Sequence, residues 1–164
     1  MSQKITPFLW FSDKTEEAMN HYVSIFKNAK IVHIQRYPEG ITEGPMAGFD
    51  GKVLTGVFEL EGQQFMGLNA GPMFKFNEAV SFFVGCETQE EIDDLWTRLI
   101  ADGGSPSQCG WLKDKFGLSW QIVPTALTRM LGDKDSGKSG RVMNAMLQMQ
   151  KLDLKLLQQA YDGK

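Results

Sequence analysis

Ala79-Val80-Ser81-Phe82-Phe83-Val84, followed by Thr88-Gln89-Glu90-Glu91 and then by Ile92, Leu95, Trp96, Leu99 and Ile100, is the stretch whose reading decides the fold. Its first six residues form an apolar run of strand length. Thr88 with Glu91 three positions later forms a capping box, and the five apolar residues recur at the spacing of one buried helical face. Asp102-Gly103-Gly104 supplies the stop. The same order stands nearer the N-terminus. There the strand-like Ile5 to Phe11 leads to Asp13 and Glu16 as a second capping pair, and Ala18, Met19, Tyr22, Val23 and Phe26 form the helical face that Asn28 ends. Three β-rich stretches follow that first helix, Ile31 to Tyr37, Val53 to Leu60 and Gln64 to Leu68, with Pro38-Glu39-Gly40 and Glu61-Gly62 as turns. After the second helix, strand signals lie at Ser105 to Cys109, where Pro106 weakens them, at Gln108 to Leu112 and at Leu118 to Val123. Asp114-Lys115-Phe116-Gly117 joins the last two. The order predicts an α+β protein of two β-α-β-β-β modules; an unrelated α+β sheet with two helices on one face is the alternative.

The remainder differs in texture. Gly132 to Gly140 is rich in Gly, Asp and Lys and reads as a loop. Arg141 to Tyr161 has the Met, Leu, Gln and Lys content of helix, with Asp153 as an N-cap that splits it in two. We therefore divide the chain into 1–126, the module pair, and 127–164, a C-terminal helical extension that packs on its own domain or on a partner.

With 164 residues, 42% of them hydrophobic, and 11 Phe and 4 Trp, the chain is long enough to build a core without a metal or disulfide staple. Its net charge of -3, with signs interspersed, gives no basic stripe and argues against nucleic-acid binding. No apolar run approaches the roughly 20 residues a membrane helix needs. Met1-Ser2-Gln3-Lys4 opens without a signal-peptide pattern, so a cytoplasmic protein with no membrane partner is expected. Cys86 and Cys109 have no metal-type spacing and read as small apolar residues.

Three blocks carry a family resemblance: Ile5 to Phe11, Phe65-Met66-Gly67-Leu68-Asn69-Ala70-Gly71-Pro72, and above all Cys109-Gly110-Trp111-Leu112-Lys113-Asp114-Lys115-Phe116-Gly117-Leu118-Ser119-Trp120-Gln121-Ile122-Val123-Pro124. They resemble the PhnB-like, or 3-demethylubiquinone-9 3-methyltransferase domain, family of the vicinal oxygen chelate (glyoxalase/bleomycin resistance/dioxygenase) superfamily. The resemblance implies modules whose strands form a cup-shaped mixed sheet, usually completed in a homodimer. It also implies a divalent metal held by His and Glu from the first and last strands of each module. Carried over residue by residue, those positions fall at Thr6, within Ala79 to Ser81, at Gln121 and within Met66 to Asn69. A hydroxyl and a neutral amide make a poor divalent site, so no metal and no other cofactor is expected. His21 and His33 lie away from these positions. The sequence also lacks the strand, Gly-rich turn and helix that usually hold a nucleotide-derived methyl donor, so the methyltransferase name finds no support in the residues.

The candidate ligand-binding residues are Thr6, Trp10, Asn69, Cys109, Trp111 and Gln121. Indole rings on cup strands stack on flat ligands, although core packing is the stronger explanation for Trp10 and Trp120. Gly110, beside Trp111, is read as room for a ligand to approach the backbone. Asn69 offers a donor and an acceptor, with a turn role as the common alternative. Gln121, on a buried strand, needs a partner: Thr6, a water or a ligand. Cys109 has no nearby base and reads as inert; Asp114 reads as a turn residue. Lys113 and Lys115 are ordinary surface cations unless the ligand is anionic. No catalytic residue stands out. The expectation is a metal-free small-molecule-binding protein, with a metal-dependent enzyme of the superfamily, of lyase, isomerase or dioxygenase type, as the alternative. A dimeric module whose cup is filled by its own side chains is the third class.

Overall fold

A computed structural model describes residues 4–44 and 46–164; the opening Met1-Ser2-Gln3 lies outside the described residues. The chain forms two compact units, residues 1–76 and 77–164. In the first, β1 (Phe8–Trp10), α1 (Thr15–Ile25), β2 (Ala29–Arg36), β3 (Val53–Leu60) and β4 (Gln63–Leu68) make a sheet of order β1-β4-β3-β2. In the second, β5 (Ser81–Cys86), α2 (Gln89–Ile100), β6 (Ser105–Pro106), β7 (Trp111–Lys113) and β8 (Ser119–Pro124) repeat it as β5-β8-β7-β6. The two β-α-β-β-β modules are therefore real, and the fold is α+β. Each sheet is mixed, because β1 runs parallel to β4 and β5 parallel to β8 while the other neighbours are antiparallel. A parallel partner cannot be reached by a tight turn, so the helix of each unit is the crossover.

The helices are seated differently. Thr88 caps α2 as its sequence predicts, its Oγ1 accepting from Glu91 N at 3.2 Å, while the Glu91 carboxylate accepts from Glu87 N at 2.8 Å. The predicted Asp13–Glu16 box does not form: Lys14 occupies the N-cap position without a side-chain cap. The cap comes instead from across the unit, where buried Asn69 accepts from Thr15 N at 2.8 Å through Oδ1. The other end of that amide donates to Val53 O at 2.8 Å, and the Asn69 carbonyl accepts from Tyr37 Oη at 2.6 Å. Beneath α1, Gly56 and Gly67 are cross-strand neighbours, and a Cβ on Gly67 would stand 2.6 Å from Thr15 Cγ2. The Met19 thioether fills the place of a Cβ on Gly56. Two glycines side by side thus make a flat seat on which the helix lies close to the sheet.

Gly132 to Gly140 is not simply a loop. α3 (Thr125–Leu131) follows β8 directly, and α4 (Ser136–Leu147) begins inside the Gly- and Lys-rich stretch because Asp135 Oδ1 caps it, accepting from Gly137 N at 2.8 Å and Lys138 N at 3.2 Å. Asp153 caps α5 (Leu154–Asp162) as expected, accepting from Leu156 N at 2.9 Å. Val123, Leu127, Met130, Val142, Leu152 and Leu157 form one buried cluster, so the helical segment is built onto the second unit through the end of β8.

Removing Asn69 tests the clasp. Asn69→Ala leaves the Thr15 N–H and the Val53 carbonyl without partners, at about 1–3 kcal/mol for each buried polar group. Urea unfolding is expected to show a loss of about 2–4 kcal/mol; an unchanged midpoint would refute the clasp.

Candidate functional site

Strand alternation places two rows of side chains on the face of the second sheet opposite α2. The α2 side carries the buried Leu112, Trp120 and Ile122. The opposite face carries residues of the other parity. Phe83, Gln121 and Trp111 are direct partners across β5, β8 and β7, and Ser81, Ser119 and Lys113 form the adjoining row. That Gln121 and Ser81 share this face is fixed by a hydrogen bond: Gln121 Nε2 donates to Ser81 Oγ at 2.8 Å. Phe83 is 57% exposed, while Trp111 and Gln121 are half-buried.

Trp111 and Gln121 are therefore brought together, cross-strand neighbours with an exposed phenyl ring on the far side of the amide. Ser81 settles the identity of Gln121's partner. It lies at the end of the Ala79 to Ser81 range that the family pattern assigns to a ligand position. Trp120 leaves this face altogether: it is buried beneath the sheet, where its Nε1 donates to Asp114 Oδ2 at 2.9 Å. Asp114 Oδ1 accepts from Phe116 N at 2.9 Å and Leu118 N at 3.0 Å, which confirms Asp114 as the organiser of its turn.

The glycine before Trp111 serves packing rather than ligand approach. Gly110 has φ +85, and a Cβ there would stand 2.8 Å from the Ile122 carbonyl and 3.0 Å from Leu152 Cδ1. Cys109, at φ 58, donates its N–H to Met149 O at 2.8 Å, and Gly110 N donates to Gln150 O at 2.7 Å. These bonds tie the loop before β7 to the segment after α4, and so hold the strand that carries Trp111.

The other candidates stand in the first unit. Thr6 is half-buried just before β1, at the same alternation as Phe8 and Trp10. Trp10 is half-buried with its Nε1 donating to Gly71 O at 2.8 Å and its ring meeting Phe74 edge-on at 4.9 Å. What Trp10 offers a ligand is ring surface alone. Asn69 has both ends of its amide committed to the backbone of its own unit, so its contribution is to architecture.

The charges on and beside the open face are few. Lys113 is ion-paired with Glu78, and this hydrogen bond to Lys113, above all, holds the Glu78 carboxyl below its ordinary range. The buried Cys86 thiol is pushed up to about 12, first by burial and then by the charges of Glu91 and Glu87, which makes it a poor nucleophile. His33 is exposed on β2 and His21 half-buried on α1. Among the described residues no cluster of three or more His, Cys, Asp or Glu is placed to hold a metal ion, and no helix is long and apolar enough to cross a membrane. Sequence reading missed Phe83 and Ser119 as members of this face. Their signal was the period-two alternation of Ser81-Phe82-Phe83 and Ser119-Trp120-Gln121, legible once the parallel register is known.

The architecture recurs among solved proteins. The PhnB protein of Bacillus cereus, which carries the 3-demethylubiquinone-9 3-methyltransferase name, is 42% identical, with a TM-score of 0.66 over 75% of this chain and 100% of its own. Protein PA1353 from Pseudomonas aeruginosa shares the fold at 20% identity and TM-score 0.59, over 73% of this chain and 95% of that one. The fosfomycin resistance protein FosX from Mesorhizobium loti does so at 11% identity and TM-score 0.53, over 81% and 99%. No protein of curated function matches the chain. The family model for 3-demethylubiquinone-9 3-methyltransferase matches residues 3–123, and the chain belongs to that PhnB-like family within the vicinal oxygen chelate fold.

Proposed function

We propose that the chain binds a planar, partly apolar small molecule on the open face of its second sheet, with Trp111 and Phe83 as the apolar surface and Gln121 as the polar anchor, and that it does so without a divalent metal. The observation that carries this reading is the Gln121 to Ser81 hydrogen bond at 2.8 Å. In the second unit the family pattern gives metal-ligand positions at Gln121, a neutral amide, and near Ala79 to Ser81, where the Ser81 hydroxyl accepts from that amide. Neither supplies the negative charge that offsets a divalent ion's dehydration, so the residues present do not fit the metal. Apolar and aromatic side chains with one or two convergent polar groups are the usual lining of a small-molecule site. The fold of each unit has only four strands, and no doubly wound parallel sheet of the kind that often holds a nucleotide-derived donor. This supports binding over methyl transfer.

Two further readings accompany it. Cys86 and Cys109 are unbridged, which fits a reducing compartment and supports a cytoplasmic setting. Both sheets end on a first strand, β1 and β5, whose outer edge has no partner in its own sheet, and Phe8 is 53% and Val80 64% exposed along these segments. Open edges with apolar flanks favour a homodimer. Sedimentation at micromolar concentration is expected to give twice the 18.4 kDa chain mass, and a monomer would overturn this.

Ligand binding followed by tryptophan fluorescence is expected to be unchanged by chelator and to lose most of its signal in Trp111→Phe. S-adenosylmethionine is expected to give no saturable calorimetric signal in the micromolar range. One zinc, nickel or manganese ion retained per subunit in native mass spectra would instead place the chain with metal-dependent enzymes of the superfamily.

Gln121→Glu reads the same site through stability. A carboxylate there would be half-buried beside a neutral hydroxyl, with the Lys113 ammonium of the adjoining row already held by Glu78, so its pKa is raised above the unfolded value. The sign follows: the variant is penalised where the introduced carboxyl must ionise, by about 1–2 kcal/mol near pH 7, and the penalty fades as pH falls toward 4. Divalent metal should not restore stability.

A further inference from the structure

We infer that the molecule bound on this face carries an oxyanion, a carboxylate or a phosphate-type group, received by Lys113 and Ser119 in the row beside Gln121; this rests on the small-molecule reading of the preceding subsection. The first observation is Ser119. It is 1% exposed, and its Oγ has no hydrogen-bond partner. Buried hydroxyls are nearly always partnered, because leaving one without a hydrogen bond costs free energy. Ser119 lies two residues before Gln121 on β8 and so shares its face, with Ser81 opposite on one side and Lys113 on the other. An orphan donor thus belongs to the residue in register between Ser81 and Lys113, in the row next to the Trp111–Gln121–Phe83 surface.

The second observation is the group Lys113 now holds. Glu78, 61% exposed at its side chain and on the irregular segment before β5, places its carboxylate on the Lys113 ammonium. An exposed ion pair contributes little to stability, so the exchange of this carboxylate for that of a ligand costs little. Glu78 is then an internal occupant of an oxyanion site, and the preferred ligand is an aromatic or otherwise flat acid whose ring lies along Trp111 and Phe83. Charge-assisted hydrogen bonds to Lys113 and a direct one from Ser119 are the interactions that distinguish it from a neutral analogue.

The test uses two probes with one ring system, 1-naphthoate and 1-naphthylmethanol, titrated calorimetrically into the full chain. The acid is expected to bind about tenfold or more tightly than the alcohol, and more weakly as salt rises. Lys113→Met should weaken the acid about five- to tenfold and leave the alcohol within about twofold. Glu78→Gln, which removes the competitor, should tighten the acid about threefold. Ser119→Ala should weaken the acid about threefold without lowering the thermal midpoint, since it deletes a hydroxyl that has no partner in the fold; a purely structural serine would lower the midpoint and spare binding. Equal affinities for both probes, indifferent to Lys113→Met, would overturn the oxyanion site and leave the small-molecule reading standing. Failure of both probes to bind would overturn both.

Discussion

Parallel pairing of the first strand of each unit with its last is the constraint from which the rest follows. It forces a helical crossover between them and fixes which side of the sheet that helix covers, so that residues of the other parity make up the opposite side. In the second unit it also sets Ser81 beside Ser119 and Phe83 beside Gln121, although the strands are joined only through a helix and two further strands. The Gln121 to Ser81 hydrogen bond, the Phe83–Gln121–Trp111 row and the lysine at its edge are consequences of that register. A slip of one residue on β8 would exchange Gln121 for Trp120 and turn Gln121 and Ser119 to the side that α2 covers, away from Phe83 and Trp111.

The covered side of each sheet shows how the same constraint is met by different residues. In the second unit, α2 brings its own cap, because Thr88 stands where the strand ends. In the first, Lys14 cannot cap, and the orphan N–H of Thr15 is met by Asn69, which at the same time holds Val53 and receives Tyr37. That makes Asn69 the first unit's counterpart of a local cap, supplied by the chain after β4 instead of the chain before α1. The Gly56–Gly67 pair completes the arrangement by letting Thr15 and Met19 reach the sheet surface. Asn69 could not therefore be turned to a ligand without loosening the helix it starts.

These contrasts explain what was legible in the sequence. Strands and helices with a strong period were readable: Val53 to Leu60 coincides with β3, and Ile92, Leu95, Trp96 and Leu99 are the buried face of α2. Asp153 was readable as a cap because its partner, Leu156, is three residues away. What escaped depends on residues distant in sequence. Asn69 as the cap of α1, Gly110 as the seat of Leu152, and Ser81 as the partner of Gln121 are tertiary facts with no local signature. Arg141 to Leu147 was readable as helix, but the start of α4 at Ser136 was hidden for another reason: Gly137 and Gly140 have low helix propensity, and the Asp135 cap and the buried Val142 outweigh it. In the candidate site, the family pattern pointed to Gln121 and to a range ending at Ser81, but the alternation that adds Phe83, Ser119 and Lys113 needed the register.

The chemistry available on the open face also bears on how the family's name should be weighed. Acid–base or nucleophilic catalysis needs a group able to exchange a proton or donate an electron pair near neutral pH. The Phe83–Gln121–Trp111 row and the two serines beside it are neutral, the Glu78 carboxylate is held ionised by Lys113, and the Cys86 thiol, on the α2 side of β5, is pushed up to about 12 by burial. An amide paired with a hydroxyl differs from a charged ligand set in one further respect. Buried carboxylate or imidazole ligands become costly when their ion is lost, whereas Gln121 and Ser81 satisfy each other as neutral groups and still leave lone pairs for a bound molecule. A neutral, mutually satisfied pair of this kind needs no bound ion to offset a buried charge, which suits the proposed binding role. On the proposed reading, discrimination among ligands falls to the geometry of the Trp111 ring and the polar row beside it.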